Sequence, residues 1–199
     1  MELNEQIWWY TARAGGIVAW FLLAAAVVWG LLAHTRVIEG RPKPAWVLDL
    51  HRFLGGLAVV FTAVHVLALV ADSYLYFGWS EVLVPFASAW EPGPVALGVV
   101  ALWLLAAVEV SSLLQRRLPR RAWRWIHLSS YVAFWATALH VVLAGTDAAN
   151  PFFVVGNLAA ILSVTFLTAV RALGGRAARK RRPRPAAPTT DRTREGASS

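Results

Sequence analysis

Cysteine is absent from the 199-residue chain, and the only methionine is Met1. Disulfides, iron–sulfur clusters, thiolate metal sites and cysteine nucleophiles are therefore excluded. A methionine ligand to a haem is not expected either. Charge is also scarce. Asp, Glu, Lys and Arg make up 15% of the residues, where a soluble domain carries about a quarter. Hydrophobic residues make up 58%, and mean hydropathy is +0.53. This balance argues against an ordinary cytosolic enzyme and for an integral membrane protein. With sulfur gone, five histidines stand out as metal ligands: His34, His51, His65, His127 and His140.

Five apolar stretches approach the roughly 20 residues that a helix needs to cross a bilayer. They are Ala14–Ala33, Phe53–Ala71, Pro94–Leu114, Trp125–Ala144 and Phe152–Leu173. The first does not read as a cleaved signal peptide, because Glu2 and Glu5 replace a basic n-region and the apolar run is too long. No repeat of solenoid period runs along the chain. The formal charge of +8 is unevenly spread. Arg36, Arg41, Lys43 and Arg52 fall in or beside the first connection, and Arg116, Arg117, Arg120, Arg121 and Arg124 in the third. The second connection (72–93) and the fourth (145–151) contain no Lys or Arg. Cytoplasmic loops retain Lys and Arg. The expectation is an all-α bundle of five transmembrane helices with the N-terminus outside and the C-terminus cytoplasmic.

The charge is thus a topology signal, and nucleic acid is not an expected partner. Residues 1–13 read as an extracytoplasmic segment, and 174–199 as a basic, disordered cytoplasmic tail against anionic lipid, with docking of an acidic partner as the alternative. Trp8, Trp9, Tyr10, Trp79 and Trp90 suit an outer interfacial belt. Ser80–Ala89 is apolar enough for a short surface helix.

Four histidines occupy two spans. His51 and His65 are 14 apart on the second, and His127 and His140 are 13 apart on the fourth. These spans run in the same direction. His51 and His127 therefore share one depth, and His65 and His140 another about 20 Å away at 1.5 Å per residue. Facing imidazoles are what bis-histidine haem b requires, and two stacked haems would carry electrons through the low-dielectric core. Four polar rings at matched depths in a bilayer call for a functional explanation. Packing between helices is the plain alternative. A zinc site lacks the usual four ligands. His34, at a span end beside Arg36, reads as interfacial. One difficulty is angular. At about 100° per residue, 14 residues return to within about 40° of the starting face, and 13 miss it by about 140°. Either the fourth helix is overwound or kinked, or the two haems sit at different azimuths.

Gly55, one turn after His51, and Gly56 would admit a flat macrocycle or a neighbouring helix. Arg52, Arg121 and Arg124 lie where inner-haem propionates would emerge, which topology explains equally well. Phe61, Phe134 and Trp135 fall between the two histidine depths. Glu109 is the only carboxylate well inside a span and is expected to reach the cytoplasmic arginines, with a proton-path or haem-side role as the alternative.

The segment Asp49-Leu50-His51-Arg52-Phe53-Leu54-Gly55 through His65 resembles the ferric reductase-like transmembrane domain. So does Trp123-Arg124-Trp125-Ile126-His127-Leu128-Ser129-Ser130-Tyr131 through His140, followed by Gly145-Thr146-Asp147. That family includes ferric reductases, the membrane cores of NADPH oxidases and the haem subunit of the periplasmic methionine sulfoxide reductase system. Its members carry the same 14 and 13 spacings. The resemblance covers roughly 14–173. It implies electron transfer through two b-type haems, the inner on His51 and His127 and the outer on His65 and His140, with Arg52 and Arg124 as propionate contacts. The chain departs from the family in having five spans rather than six. No G-x-G-x-x-G fingerprint accompanies a flavin or NAD(P)H domain. Flavin is then expected only through a partner, and the donor is a separate cytoplasmic reductase or a quinol. The acceptor outside would be ferric iron, oxygen or a periplasmic redox protein. The location implied is a plasma membrane, as a multi-pass protein of a bacterial cytoplasmic membrane. Rival classes are a non-redox membrane scaffold and a small-molecule transporter, the latter expected to show broken helices with mid-membrane charges.

Overall fold

A computed structural model describes residues 3–34, 45–72, 77–147 and 149–180. Among them there are helices and no strands: α1 (Leu3–His34), α2 (Ala45–Ala71), α3 (Trp79–Leu83), α4 (Pro92–Leu113), α5 (Arg120–Leu128), α6 (Ser130–Ala144) and α7 (Pro151–Lys180). Five spans are long and apolar enough to cross a membrane: α1, α2, α4, α5 with α6 together, and α7. The ends follow local chemistry. Pro92 opens α4 and Pro151 opens α7, where a missing N–H costs nothing. Asn150 caps α7 by accepting from the Phe152 N–H at 3.0 Å.

Several boundaries differ from the sequence expectation. α1 starts at Leu3, so Trp8, Trp9 and Tyr10 are helical and continuous with the first span. α2 starts at Ala45, which places His51 inside a helix rather than at its edge. The short helix expected over Ser80–Ala89 covers only Trp79–Leu83. Its last residue is tied to α4 by Trp103 Nε1, which donates to the Leu83 carbonyl at 2.9 Å. α7 continues to Lys180, past the expected start of the tail. Arg36, Arg41 and Lys43, the tail after Lys180, and the His34 side chain lie outside the described residues.

α1 is the central helix. It packs along α2 and also meets α6 and α7, while α4 packs on α6. Membrane helices are not driven together by water, so close fit and small residues do the work. Ala58, Ala68, Ala96, Ala133 and Ala138 are accordingly buried at the contacts. The centre is a stacked pair, Trp20 of α1 on Phe134 of α6, with ring centroids 5.1 Å apart. Both side chains are fully buried, as are Leu31 and Val164. Large apolar side chains on the outside of α2 and α7, such as Phe53, Leu67, Leu162 and Phe166, are exposed, as a lipid-facing surface requires.

The helices that carry the histidines are held apart. α2 rests on α1, and α6 rests on α4, but α2 does not pack along α5 or α6. Phe134→Ala would remove one of the two stacked rings at the α1–α6 contact. We expect a loss of about 3 kcal/mol, read as a lower melting temperature in detergent, whereas Phe166→Ala on the exposed face leaves it unchanged.

Candidate functional site

The α2 histidines point to α1. His51 Nδ1 is 2.9 Å from the Ala26 carbonyl oxygen, and His65 Nδ1 is 2.7 Å from that of Ala12. On the other side, His140 Nδ1 is 2.8 Å from the Pro94 carbonyl oxygen of α4. A carbonyl only accepts, so each Nδ1 carries the proton and donates. In a neutral ring this fixes the tautomer, with the proton on Nδ1 and the lone pair on Nε2.

Each acceptor is followed four residues later by glycine: Ala12 by Gly16, Ala26 by Gly30, Pro94 by Gly98. The reason is geometric. In a helix the carbonyl of residue i already receives the N–H of residue i+4. An imidazole reaching the second lone pair must pass beside residue i+4. A Cβ on Gly16 would stand 2.9 Å from His65 Nδ1, one on Gly98 2.8 Å from His140 Cε1, and one on Gly30 3.1 Å from His51 Cε1. Glycine is what lets the ring in. These glycines lie on spans without paired histidines, so histidine spacing alone does not point to them. A signal was present: Gly16 and Gly30 are 14 apart, the same spacing as His51 and His65. Gly55 and Gly56 play a different part. A Cβ on Gly55 would face Glu109 Oε2 at 3.7 Å, and one on Gly56 would meet nothing within 4 Å.

His127 is set by another contact. Its ring stacks on Trp123, one turn earlier, with centroids 5.1 Å apart and planes 21° apart. Across the gap it meets His51, with centroids 6.0 Å apart and planes 75° apart. Two imidazoles sharing one metal, at about 2 Å per bond, hold their ring centres about 6 Å apart. An edge-to-face aromatic pair uses the same distance, so the carbonyl bonds are the more informative feature.

The fourth span breaks between its two histidines. Ser129 separates α5 from α6. Its N–H donates to the Ile126 carbonyl at 3.0 Å and lies 3.3 Å from that of Trp125, while its Oγ donates to Ile126 at 2.6 Å. Three-residue bonds overwind a helix, and serine back-bonding bends it. Of the two geometric options, a distorted fourth helix is the one observed.

His65 and His140 line one cavity of about 210 Å³, together with Trp20, Val99, Arg13 and Asp147. Its walls are largely apolar, with Arg13 and Asp147 among the polar groups at the α1 start and the turn after α6. There Arg13 Nε donates to Asp147 Oδ2 at 2.8 Å, and Arg13 Nη2 donates to Oδ1. The Arg13 guanidinium holds the Asp147 carboxyl below the ordinary aspartate range. At the other histidine layer, Arg52 is exposed and 3.8 Å from Asp49 Oδ1. Arg121 and Arg124 are exposed on α5, as is most of Trp125. Phe134 is stacked in the core and Trp135 sits edge-on to it. No ion pair joins Glu109 to an arginine among the described residues.

The chain matches no family model, no curated protein and no solved structure. The functional reading therefore rests on its own residues.

A glycine inside a helix normally gains about 1 kcal/mol on becoming alanine. Gly16→Ala and Gly98→Ala are expected to reverse that sign and lower the melting temperature in detergent, while Gly56→Ala raises it or leaves it unchanged. A second outcome concerns pH. A carboxyl held below its unfolded value stabilises the fold above that value, and this is lost as pH falls through the folded value. Acidification below about pH 4 should lower the melting temperature less in Asp147→Asn than in the parent.

Proposed function

We propose that this chain is a membrane-embedded b-type cytochrome, the haem-carrying subunit of an electron-transfer system that works across the bilayer. His51 and His127 would hold one haem b, and His65 and His140 a second. The observation that carries the reading is the Nδ1-to-carbonyl tie repeated at His51, His65 and His140. Metal-binding histidines are oriented by such a bond on the far ring nitrogen. The gap between α2 and the α5–α6 span supports the reading, as does the apolar cavity at His65 and His140.

The donor set fits the group. Two neutral imidazoles complete a haem iron, whereas zinc would be left short of ligands. No cluster of three or more His, Asp or Glu residues is found among the described residues. When bound, bis-histidine haem supplies one-electron chemistry with no open coordination position, which suits electron relay rather than oxygen binding. The protein's own part is orientation and exclusion. α1 and α4 hold ligand rings through their backbones, and Trp20 and Phe134 fill the space between the two histidine layers. Arg52 and Arg124 stand on the side where propionates of the first haem would emerge.

The proposed orientation has the N-terminus outside and the C-terminus cytoplasmic. Its support is charge: Arg116, Arg117, Arg120, Arg121 and Arg124 gather in one connection, and 72–93 and 145–151 contain no Lys or Arg. His51 and His127 then face the cytoplasm. Electrons would enter there from a separate flavin-bearing reductase or a quinol. They would leave near His65 and His140 to ferric iron, oxygen or a periplasmic redox protein. The bacterial cytoplasmic membrane is the proposed location.

The purified chain should show a Soret band and two haems per chain by pyridine haemochrome. His65→Ala or His140→Ala should remove one haem, and His51→Ala or His127→Ala the other. A chain with no Soret band, and none after adding haemin, would overturn the reading.

A further inference from the structure

We infer that Arg13 and Asp147 form a strut that sets the spacing of the outer histidine pair; the inference rests on the haem reading above. His65 and His140 sit on helices that do not pack on each other. Their relative position is fixed through neighbours. His65 is tied to the carbonyl of Ala12 on α1, and Arg13 is the next residue. Arg13 grips Asp147 with two donors, Nε and Nη2, one to each carboxylate oxygen. Asp147 lies seven residues past His140, in the turn after α6. The contact path therefore runs from His65 through Ala12, Arg13 and Asp147 to His140, around the cavity that all of them line.

Asp147 is built into this place rather than scattered on a surface. It is 7% exposed. Burying a carboxylate without a partner is costly, and a two-point arginine contact offsets the cost and fixes direction. The turn that presents it is constrained as well. At Gly145 a Cβ would collide with the Val141 carbonyl, and the Asn150 N–H donates to the Asp147 carbonyl at 2.9 Å. Deeper in the bundle, the Trp20–Phe134 stack already joins α1 to α6. At the cavity end α2 meets α4 through Val66, Leu69 and Val70 against Val95 and Val99, and the ion pair adds a polar tie between α1 and the turn after α6. Arg13 and Asp147 are positioning residues: they act on the ligand rings through α1 and through the α6 end.

The test uses the full chain in detergent, loaded with haem b. The variants are Arg13→Gln, Asp147→Asn, and the exchange of Arg13→Asp with Asp147→Arg. Haem per chain and the low-spin ferric signals by electron paramagnetic resonance are read together with the melting temperature. Each single variant should weaken outer-haem affinity roughly tenfold or more and lose or broaden one low-spin signal, leaving the other unchanged. The exchange should restore that signal. In a His65→Ala background, which lacks the outer haem, Arg13→Gln should leave the remaining signal unaltered. Single variants that keep both signals and both haems overturn the strut alone. Variants that lose both signals equally overturn it too, since the pair then serves only the fold. A parent chain that binds no haem overturns the haem reading and the strut together.

Discussion

Three of the four histidines at the candidate site depend on an imidazole N–H reaching a helix carbonyl that is already engaged. The second lone pair of that carbonyl is open only from the side, and the residue four positions on guards it. Gly16, Gly30 and Gly98 clear this approach for His65, His51 and His140. The bond has two consequences in a low-dielectric setting. It satisfies a polar group that lipid would not, and it fixes which ring nitrogen faces the interior of the bundle. A histidine buried only for packing would need the first and not the second. Here one contact provides both.

The surrounding architecture follows from the same contact. Because His51 and His65 lean on α1, α2 must lie along α1 with its 14-residue spacing in register with Ala12 and Ala26. Because His140 leans on α4, α6 is drawn to α4. The pairing of helices thereby leaves α2 apart from α6, and the opening between them is apolar and lined by Trp20 and Val99. The break at Ser129 belongs to this arrangement. It falls between the segment bearing His127 and that bearing His140, on the span whose 13-residue spacing does not fit one face of a straight helix. Trp123, stacked on His127, orients the one ring that faces His51 from α5.

Polar groups elsewhere are few, and their placement is economical. Arg13 lies within the first span but close to its start. Its partner Asp147 arrives from the turn after α6, so a charge in the membrane segment and a buried carboxylate neutralise each other at an edge of the bundle. Such a pair is short-range and directional, and it adds to the apolar packing that joins α1 to α6 and α2 to α4.

Composition and the distribution of apolar residues determined the fold class: 58% hydrophobic residues in five long runs leave helices in a bilayer as the stable form. Spacing likewise paired His51 with His127 and His65 with His140 by depth, because rise per residue is a local property of a helix. Helix ends were less legible. α1 reaches back to Leu3 and α2 to Ala45, since helical propensity carries past the apolar run into polar turns. The ring orientation was not legible at all. Which carbonyl receives each imidazole, why Gly16, Gly30 and Gly98 stand where they do, and how Arg13 meets Asp147 across 134 positions depend on which helix lies beside which. Sequence spacing is a one-dimensional quantity that records depth. Neighbours around the bundle axis are chosen by packing, and only the tertiary structure decided them.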